Sequence, residues 1–190
     1  MQSHLQVGFT LDRLWHALRG EMESSKRPAL LALAAVLSET GTPYAVIGGV
    51  ALQVYQDEPR TTLDVGLAVR DFDALPRAAL ESTGFRLGGR FSHSENWIGP
   101  DEVPVQFTDD PALLPAIERA HELEFEGRPL RVIDRADLLH EKVRAGTAPA
   151  RRRSKRLQGL ADAQALIEQM PELRGELTQA ERQTLDSLPA

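Results

Sequence analysis

Two adjacent glycines between two apolar segments constrain the fold of this 190-residue chain more than any other feature. The segment Tyr44–Ile47 is apolar and partly β-branched, Gly48 and Gly49 follow it directly, and residues 50–53 are again mostly apolar. This order predicts a buried strand that turns sharply into a helix. A double glycine in such a turn lets the backbone approach a phosphate group, which the free N–H groups of the helix also favour. A tight turn without a ligand fits the same residues, so both alternatives stand.

Hydrophobic periodicity divides the rest of the chain into helices and strands. Apolar residues at helical spacing predict an N-terminal amphipathic helix through residues 11–22 and a second helix from Pro28 to about Gly41. Further strands are expected at 63–69 and 103–108, hairpins at 85–99 and 123–132, and helices at 72–83, 111–121, 134–145, 157–170 and 178–188. The predicted class is α/β (α+β), with a mixed sheet flanked by helices and a C-terminal helical part. We expect an N-terminal helix over 1–27, a core over 28–134 and a helical part over 135–190 of the same compact domain.

Composition excludes several classes of function. The chain has no cysteine, which rules out disulfide scaffolds, cysteine-ligated zinc or iron–sulfur sites and thiol catalysis. Its longest apolar run, residues 28–37, is about half as long as the ~20 residues that cross a bilayer, and charged residues interrupt the first 20 positions. We therefore expect a cytoplasmic protein without a membrane segment. His93 and Glu95 have a spacing found in zinc sites, and we predict a surface position for this pair.

The charge of the chain is strongly segregated. The formal net charge is −6, yet a basic cluster fills five of the six positions 151–156, namely Arg151, Arg152, Arg153, Lys155 and Arg156. The cluster precedes and enters the last long predicted helix, where the helix dipole disfavours positive charge. Phosphates of an RNA backbone would compensate that cost, whereas a solvated basic turn balanced by the acidic remainder is the alternative.

The glycine turn and the residues after it resemble a known family. Ile47 to Leu52, followed by Arg60, Thr62 and Asp64, is similar to the signature of minimal nucleotidyltransferases, including the abortive-infection type toxins of bacterial toxin–antitoxin pairs. The likeness continues through 134–145 to Asp162, and so covers residues 28–170. It implies a nucleotidyltransferase-like fold, a nucleoside triphosphate as substrate or ligand, magnesium ions and a cognate partner protein. The nucleotide-binding residues that it implies are Gly48, Gly49, Arg60, Thr62 and Lys142.

The same resemblance implies a metal site that this chain has only in part. Two carboxylates at positions i and i+2 of a strand point to one face, where a third from a neighbouring strand completes a site for two divalent ions. Here Asp64 is the expected catalytic residue and metal ligand, but Gly66 stands at the second position and Gln106 at the third. An amide oxygen brings no charge, and Mg²⁺ binds mainly through charged oxygens. Gly159 occupies a further position that is acidic in the family, so another side chain facing the active site is missing.

Three functions are compatible with these residues. The first is a nucleotide- or RNA-binding protein with weak or lost nucleotidyl transfer, linked to a toxin–antitoxin-like system. The second is an active magnesium-dependent enzyme that transfers a nucleoside monophosphate to a hydroxyl of RNA, protein or a small molecule. The third is a structural or protein-binding domain with an empty cleft. For the first two, we expect Asp64 and Gln106 to face a common cleft floored by Gly48 and Gly49, while Lys142 either reaches a phosphate or only packs its stem on the core.

Overall fold

Helices surround one sheet in this computed structural model, which describes residues 2–20, 25–58 and 61–188. In chain order, the elements are α1 Gln2–Leu18, α2 Arg27–Glu39, β1 Tyr44–Ile47, α3 Gly48–Tyr55, β2 Val65–Val69, α4 Arg77–Ser82, β3 Arg86–Phe91, β4 Ser94–Ile98, β5 Pro104–Thr108, α5 Leu114–Arg119, β6 His121–Phe125, β7 Arg128–Val132, α6 Arg135–Thr147, α7 Arg153–Gln169 and α8 Gln179–Asp186. The predicted α/β class with a mixed sheet is confirmed. Within the described ranges, no helix is long and apolar enough to cross a membrane.

The seven strands form a sheet in the order β3-β4-β5-β2-β1-β7-β6. β1 pairs antiparallel with β2 and parallel with β7, while β2 pairs parallel with β5. All four residues of β1 are buried, as expected for a strand covered on both faces. Because β1, β2 and β5 are neighbours in the middle of the sheet, the residues at their ends are brought together there.

The N-terminal helix is packed onto the rest of the protein. Leu5 and Phe9 of α1 are buried, and the ring of Phe9 lies 5.8 Å from that of Phe125 in β6. The part of the predicted helix that falls on residues 21–24 lies outside the described residues. A proline in the first turn starts α2, where its missing N–H costs nothing.

Helices α6 and α7 pack closely because glycines stand at their contact. A Cβ atom on Gly159 would lie 3.0 Å from the carbonyl oxygen of Lys142 and 3.1 Å from the amide nitrogen of Gly146. The expectation that Gly159 replaces an acidic residue facing the active site is therefore wrong, because this position faces the backbone of α6. The helix expected over 134–145 extends to Thr147, so Gly146 belongs to α6.

Two other predictions are corrected. The helix expected from residue 72 begins at Arg77, because residues 71–76 form turns in which Asp71 accepts a hydrogen bond from the amide of Ala74. Glu95 is not a surface residue: its side chain is 1% exposed and forms an ion pair with Arg77 at 2.7 Å. Glu95 shares the inner face of β4 with the buried Trp97, which explains its burial.

Candidate functional site

The glycine turn joins β1 to α3 through a left-handed residue. Gly48 has a φ of +69°, which favours glycine, and a Cβ atom there would meet nothing within 4 Å. A Cβ atom on Gly49 would instead lie 2.4 Å from Oγ1 of Thr62. Gly49 is thus required by the packing of Thr62, whereas the space beside Gly48 is open and lies at the start of a helix with free N–H groups.

Thr62 connects the glycine turn to Asp64. Its hydroxyl donates a hydrogen bond of 2.9 Å to Oδ1 of Asp64, and its carbonyl oxygen accepts one from Nζ of Lys26. Asp64 is exposed and directly precedes β2. Arg60, which the family resemblance includes, lies outside the described residues. The structure therefore brings Gly49, Thr62 and Asp64 together.

Gly66 and Gln106 lie opposite each other in the parallel pair of β2 and β5. Partners in such a pair project their side chains to the same face of the sheet. Gln106 is exposed on that face, where its Nε2 donates a hydrogen bond of 2.8 Å to Oγ of Ser94. The Ser94 hydroxyl in turn lies 3.2 Å from Oδ1 of Asn96, so the open face beside Asp64 carries uncharged polar groups.

These residues do not fit the two-metal centre that the family resemblance implies. Asp64 supplies one carboxylate, Gln106 an amide oxygen and Gly66 nothing. No group of three or more histidine, aspartate or glutamate side chains is arranged to hold a metal ion in the described part of the chain. Two divalent ions need several charged oxygen ligands, which this face does not offer.

Lys142 lies between α6 and α7, with its side chain only 10% exposed. Its ammonium is 3.3 Å from Oδ2 of Asp162 and 3.9 Å from Oε2 of Glu141. The sequence did not predict this pairing, although it singled out both Lys142 and Asp162. Contact of the ammonium with a phosphate stays a prediction.

The basic cluster is exposed at the beginning of α7, apart from the partly buried Arg156. No ion pair joins any of its five cations to the described residues, and no side chain caps the helix. The cluster therefore keeps its positive charge available to an anion.

A cavity that the sequence did not reveal lies beside Thr62. Its volume is about 280 Å³, and one wall is formed by α1, which contributes Asp12 and Trp15. Asp12 and Lys26 form a buried ion pair there, with 4% and 2% of their surfaces exposed. Burial lowers the pKa of Lys26, while the hydrogen bond with Asp12 and the charges of Asp12 and Asp64 act in the opposite direction. The sequence signal for the pair was the position of Asp12, which follows Leu5 and Phe9 at helical spacing on the buried face of α1.

Comparisons with known proteins identify the fold. No protein-family model matches the sequence, and no curated protein sequence matches it. Among solved structures, the chain is similar to an antigenic nucleotidyltransferase-like protein from Paracoccidioides brasiliensis, with a TM-score of 0.54 and 20% identity over 83% of this chain and 88% of that one. It is also similar to ANT(2'')-Ia in complex with adenylyl-2''-tobramycin, with a TM-score of 0.54 and 16% identity over 86% and 98% of the two chains. A third match is the lincomycin-bound lincosamide antibiotic adenylyltransferase LnuA, with a TM-score of 0.52 and 10% identity over 75% and 98%.

The chain thus has a nucleotidyltransferase-like fold, as the resemblance implied. At these identities the likeness concerns the fold alone. The narrower similarity to abortive-infection toxins stays a prediction.

Proposed function

We propose that this protein binds a nucleoside triphosphate in the manner of its fold class and has weak or lost nucleotidyl transfer. The observation that supports this most directly is the register of β2 and β5. Gly66 and Gln106 face each other beside Asp64, where the fold family places carboxylates for metal ions. A face with one carboxylate can accommodate a ligand but offers little charge to hold the ions that accelerate transfer.

In this proposal the triphosphate lies on the open side of Gly48. The backbone can approach a phosphate there because no side chain intervenes, and the first N–H groups of α3 donate to its oxygens. Arg60 adds a cation from the segment before Thr62. Asp64, oriented by the Thr62 hydroxyl, would accept a hydrogen bond from the substrate hydroxyl to which the nucleotidyl group is transferred.

The basic cluster extends the proposal to RNA. Its cations have no acidic partner among the described residues, and the dipole of α7 adds to their positive potential. A toxin–antitoxin-like partnership and a Lys142–phosphate contact belong to the same proposal and rest on the family resemblance.

Calorimetric titration with ATP, CTP, GTP and UTP, with and without Mg²⁺, tests the proposed function. We expect at least one triphosphate to bind and inorganic tripolyphosphate to displace it. Gly48→Ala should weaken binding at least tenfold, because the methyl group enters the space assigned to the phosphates. Gly41→Ala is the matched control, since Gly41 has a similar φ of +64° and an equally open Cβ position in another turn.

The outcomes separate the three functions. Binding without incorporation of labelled nucleotide into RNA, protein or small-molecule hydroxyls agrees with the proposal. Efficient transfer would favour the active enzyme. If none of the four triphosphates binds, the third function, a structural or protein-binding domain with an empty cleft, is favoured.

A further inference from the structure

Helix α1 exposes a line of apolar side chains beside the face that it buries. Leu14 is 53% exposed and Leu18 86% exposed, and Val7 and Leu11 continue the same line toward the start of the helix. These four residues are called the apolar stripe below. Trp15, which is 45% exposed, widens the stripe on one side. Single apolar side chains on a surface are normal, whereas a continuous patch of them is typical of a surface that binds a partner.

The spacing of the apolar stripe fits a second helix. Its residues follow each other at intervals of four, three and four positions, which is the repeat of a two-helix seam with interlocking side chains. This spacing reads the same in both directions, so an antiparallel copy of α1 matches it residue for residue. Val7 then lies opposite the partner's Leu18, and Leu11 opposite the partner's Leu14. A surface that complements itself in this way favours a second copy of the chain as its partner.

The two ends of the apolar stripe have neighbours of opposite charge. At one end, Asp57 and Glu58 are exposed and line a small pocket together with Val7. At the other end, the guanidinium of Arg19 lies 6.0 Å from the centre of the Trp15 ring. An antiparallel pair brings the acidic end of each copy to the level of the basic end of the other, whereas a parallel pair would bring like charges together.

The acidic and basic groups also lie on the same side of the stripe. Gly8 lines the pocket of Asp57, and Trp15 and Arg19 follow Gly8 at intervals of seven and four positions, which is one line along a helix. The two-fold axis of an antiparallel pair keeps this side of both helices together. Arg19 of one copy therefore approaches the partner's Asp57.

The exposed area suits a weak dimer. The exposed fractions of Val7, Leu14, Trp15 and Leu18 correspond to roughly 450 Å² per copy, on the scale at which an aromatic side chain offers about 150–250 Å². Two copies together offer about 900 Å² of apolar surface, and the charged neighbours bring the interface to the ~1,000 Å² at which specific interfaces begin.

We infer that α1 is a dimerisation helix, through which two copies of this chain associate as an antiparallel pair with two-fold symmetry. Because the interface is near the lower size limit, association is reversible, with a dissociation constant of about 1–100 µM. The inference does not depend on nucleotide binding, since the apolar stripe contains none of the residues assigned to the nucleotide.

Sedimentation equilibrium of the full chain over a range of protein concentrations measures the dimer. Leu14→Gln with Leu18→Gln should raise the dissociation constant at least about tenfold, because glutamine keeps the helix propensity and removes the apolar contact. The matched control is Leu87→Gln with Leu157→Gln, which makes the same change at two exposed leucines of β3 and α7 and should leave the constant unchanged. Circular dichroism checks that both variants keep the native helix content.

Cysteine cross-linking tests the direction of the two helices, since the chain has no cysteine of its own. Oxidation of a mixture of Val7→Cys and Leu18→Cys proteins should give the mixed disulfide, because these positions face each other in the antiparallel pair. Leu18→Cys alone should cross-link poorly, since its two cysteines would lie about 16 Å apart along the helices, beyond the ~7 Å that a disulfide spans. Preferential disulfides between two Leu18→Cys chains would indicate a parallel pair and overturn the arrangement.

Charge reversal provides a second test of the arrangement. Arg19→Glu should weaken the dimer, and Asp57→Arg added to the same chain should recover association, because the two charges then exchange places across the interface. No recovery would overturn the antiparallel pairing. A chain that stays monomeric at every concentration, or unchanged association of the variant with glutamine at positions 14 and 18, would overturn the dimer and leave the stripe to a different partner.

Discussion

Substitution of Gly49 by alanine tests the contact that joins the glycine turn to Asp64. The new Cβ atom would lie 2.4 Å from Oγ1 and 2.5 Å from Cβ of Thr62. Rotation of the Thr62 side chain cannot relieve the second contact, because Cβ is fixed to the backbone. The backbone at Thr62 must therefore move, and its carbonyl then loses the hydrogen bond from the buried Lys26 ammonium.

The expected loss of stability follows from these contacts. A hydrogen bond from a charged group is worth about 1.5–3 kcal/mol, and the exposed Thr62–Asp64 bond about 0.5 kcal/mol. The higher helix propensity of alanine stabilises the folded state by about 1 kcal/mol relative to glycine and offsets part of this loss. The net cost is about 1–2.5 kcal/mol, or a decrease in melting temperature of about 2–10 °C for a chain of this length.

A double-mutant cycle with Thr62→Gly is the decisive assay. Denaturant unfolding is followed through the fluorescence of the buried Trp97. In the native protein, Thr62→Gly should lower the free energy of unfolding. In the Gly49→Ala variant, the same substitution should lower it less or raise it. A coupling of at least about 1 kcal/mol is expected for groups in contact. Additivity within about 0.5 kcal/mol would show that the two positions do not touch.

Three further predictions concern other parts of the molecule. Burial raises the pKa of Glu95, but hydrogen bonds from Arg77 and Trp97 outweigh burial and leave that pKa below its usual value. The ionised Glu95 therefore stabilises the fold above the ordinary Glu pKa of about 4.3, and this contribution is lost as the pH falls through the lower pKa of the folded state. Glu95→Gln should cost about 1.5–3 kcal/mol at pH 7 and flatten the acid branch of a pH–stability profile. Gly159→Asp should cost at least about 2 kcal/mol in denaturant unfolding, against about 0.5 kcal/mol or less for Gly175→Asp at an open position. Replacing the three arginines at 151–153 by alanine should reduce the salt slope of RNA binding by up to about 2, and an unchanged slope would place RNA elsewhere.

Local patterns predicted the framework of the site because they act within a few residues. The apolar run before Gly48 predicted the strand and the turn, and the family resemblance together with strand alternation predicted that Gln106 faces a cleft; the structure has Gln106 exposed in β5. The helix expected from residue 72 begins late for a local reason as well: Pro76 stands directly before it, and the residues before Pro76 form turns. The proximity of Gly49 to Thr62 depends on β2 returning beside β1, which no local pattern specifies.

Contacts between distant elements could not be predicted in this way. Asp12 of α1 meets Lys26, the residue before α2, and Glu95 of β4 meets Arg77 at the start of α4. Each of these acidic residues lies on a buried face of its own element, which indicates a buried acid but does not identify its partner. The prediction that Gly159 faces the active site was wrong for the same reason. The sequence does not show that this position packs against the backbone of α6.

Restoring the missing carboxylates tests the central claim most directly. In Gly66→Asp with Gln106→Asp, the new side chains extend from paired positions of β2 and β5 beside Asp64. The fold should accept them, because Gln106 is exposed and the tightest contact of a Cβ on Gly66 is 3.3 Å to Cγ1 of Ile47, which a shift of a few tenths of an ångström relieves. The variant should bind Mg²⁺ more tightly than the native protein and transfer labelled nucleotide to an RNA pool, and Asp64→Ala should abolish that gain. Native protein should stay near background in the same assay. Robust Mg²⁺-dependent transfer by the native protein would contradict the account, because other residues would then already supply the ligands counted as missing.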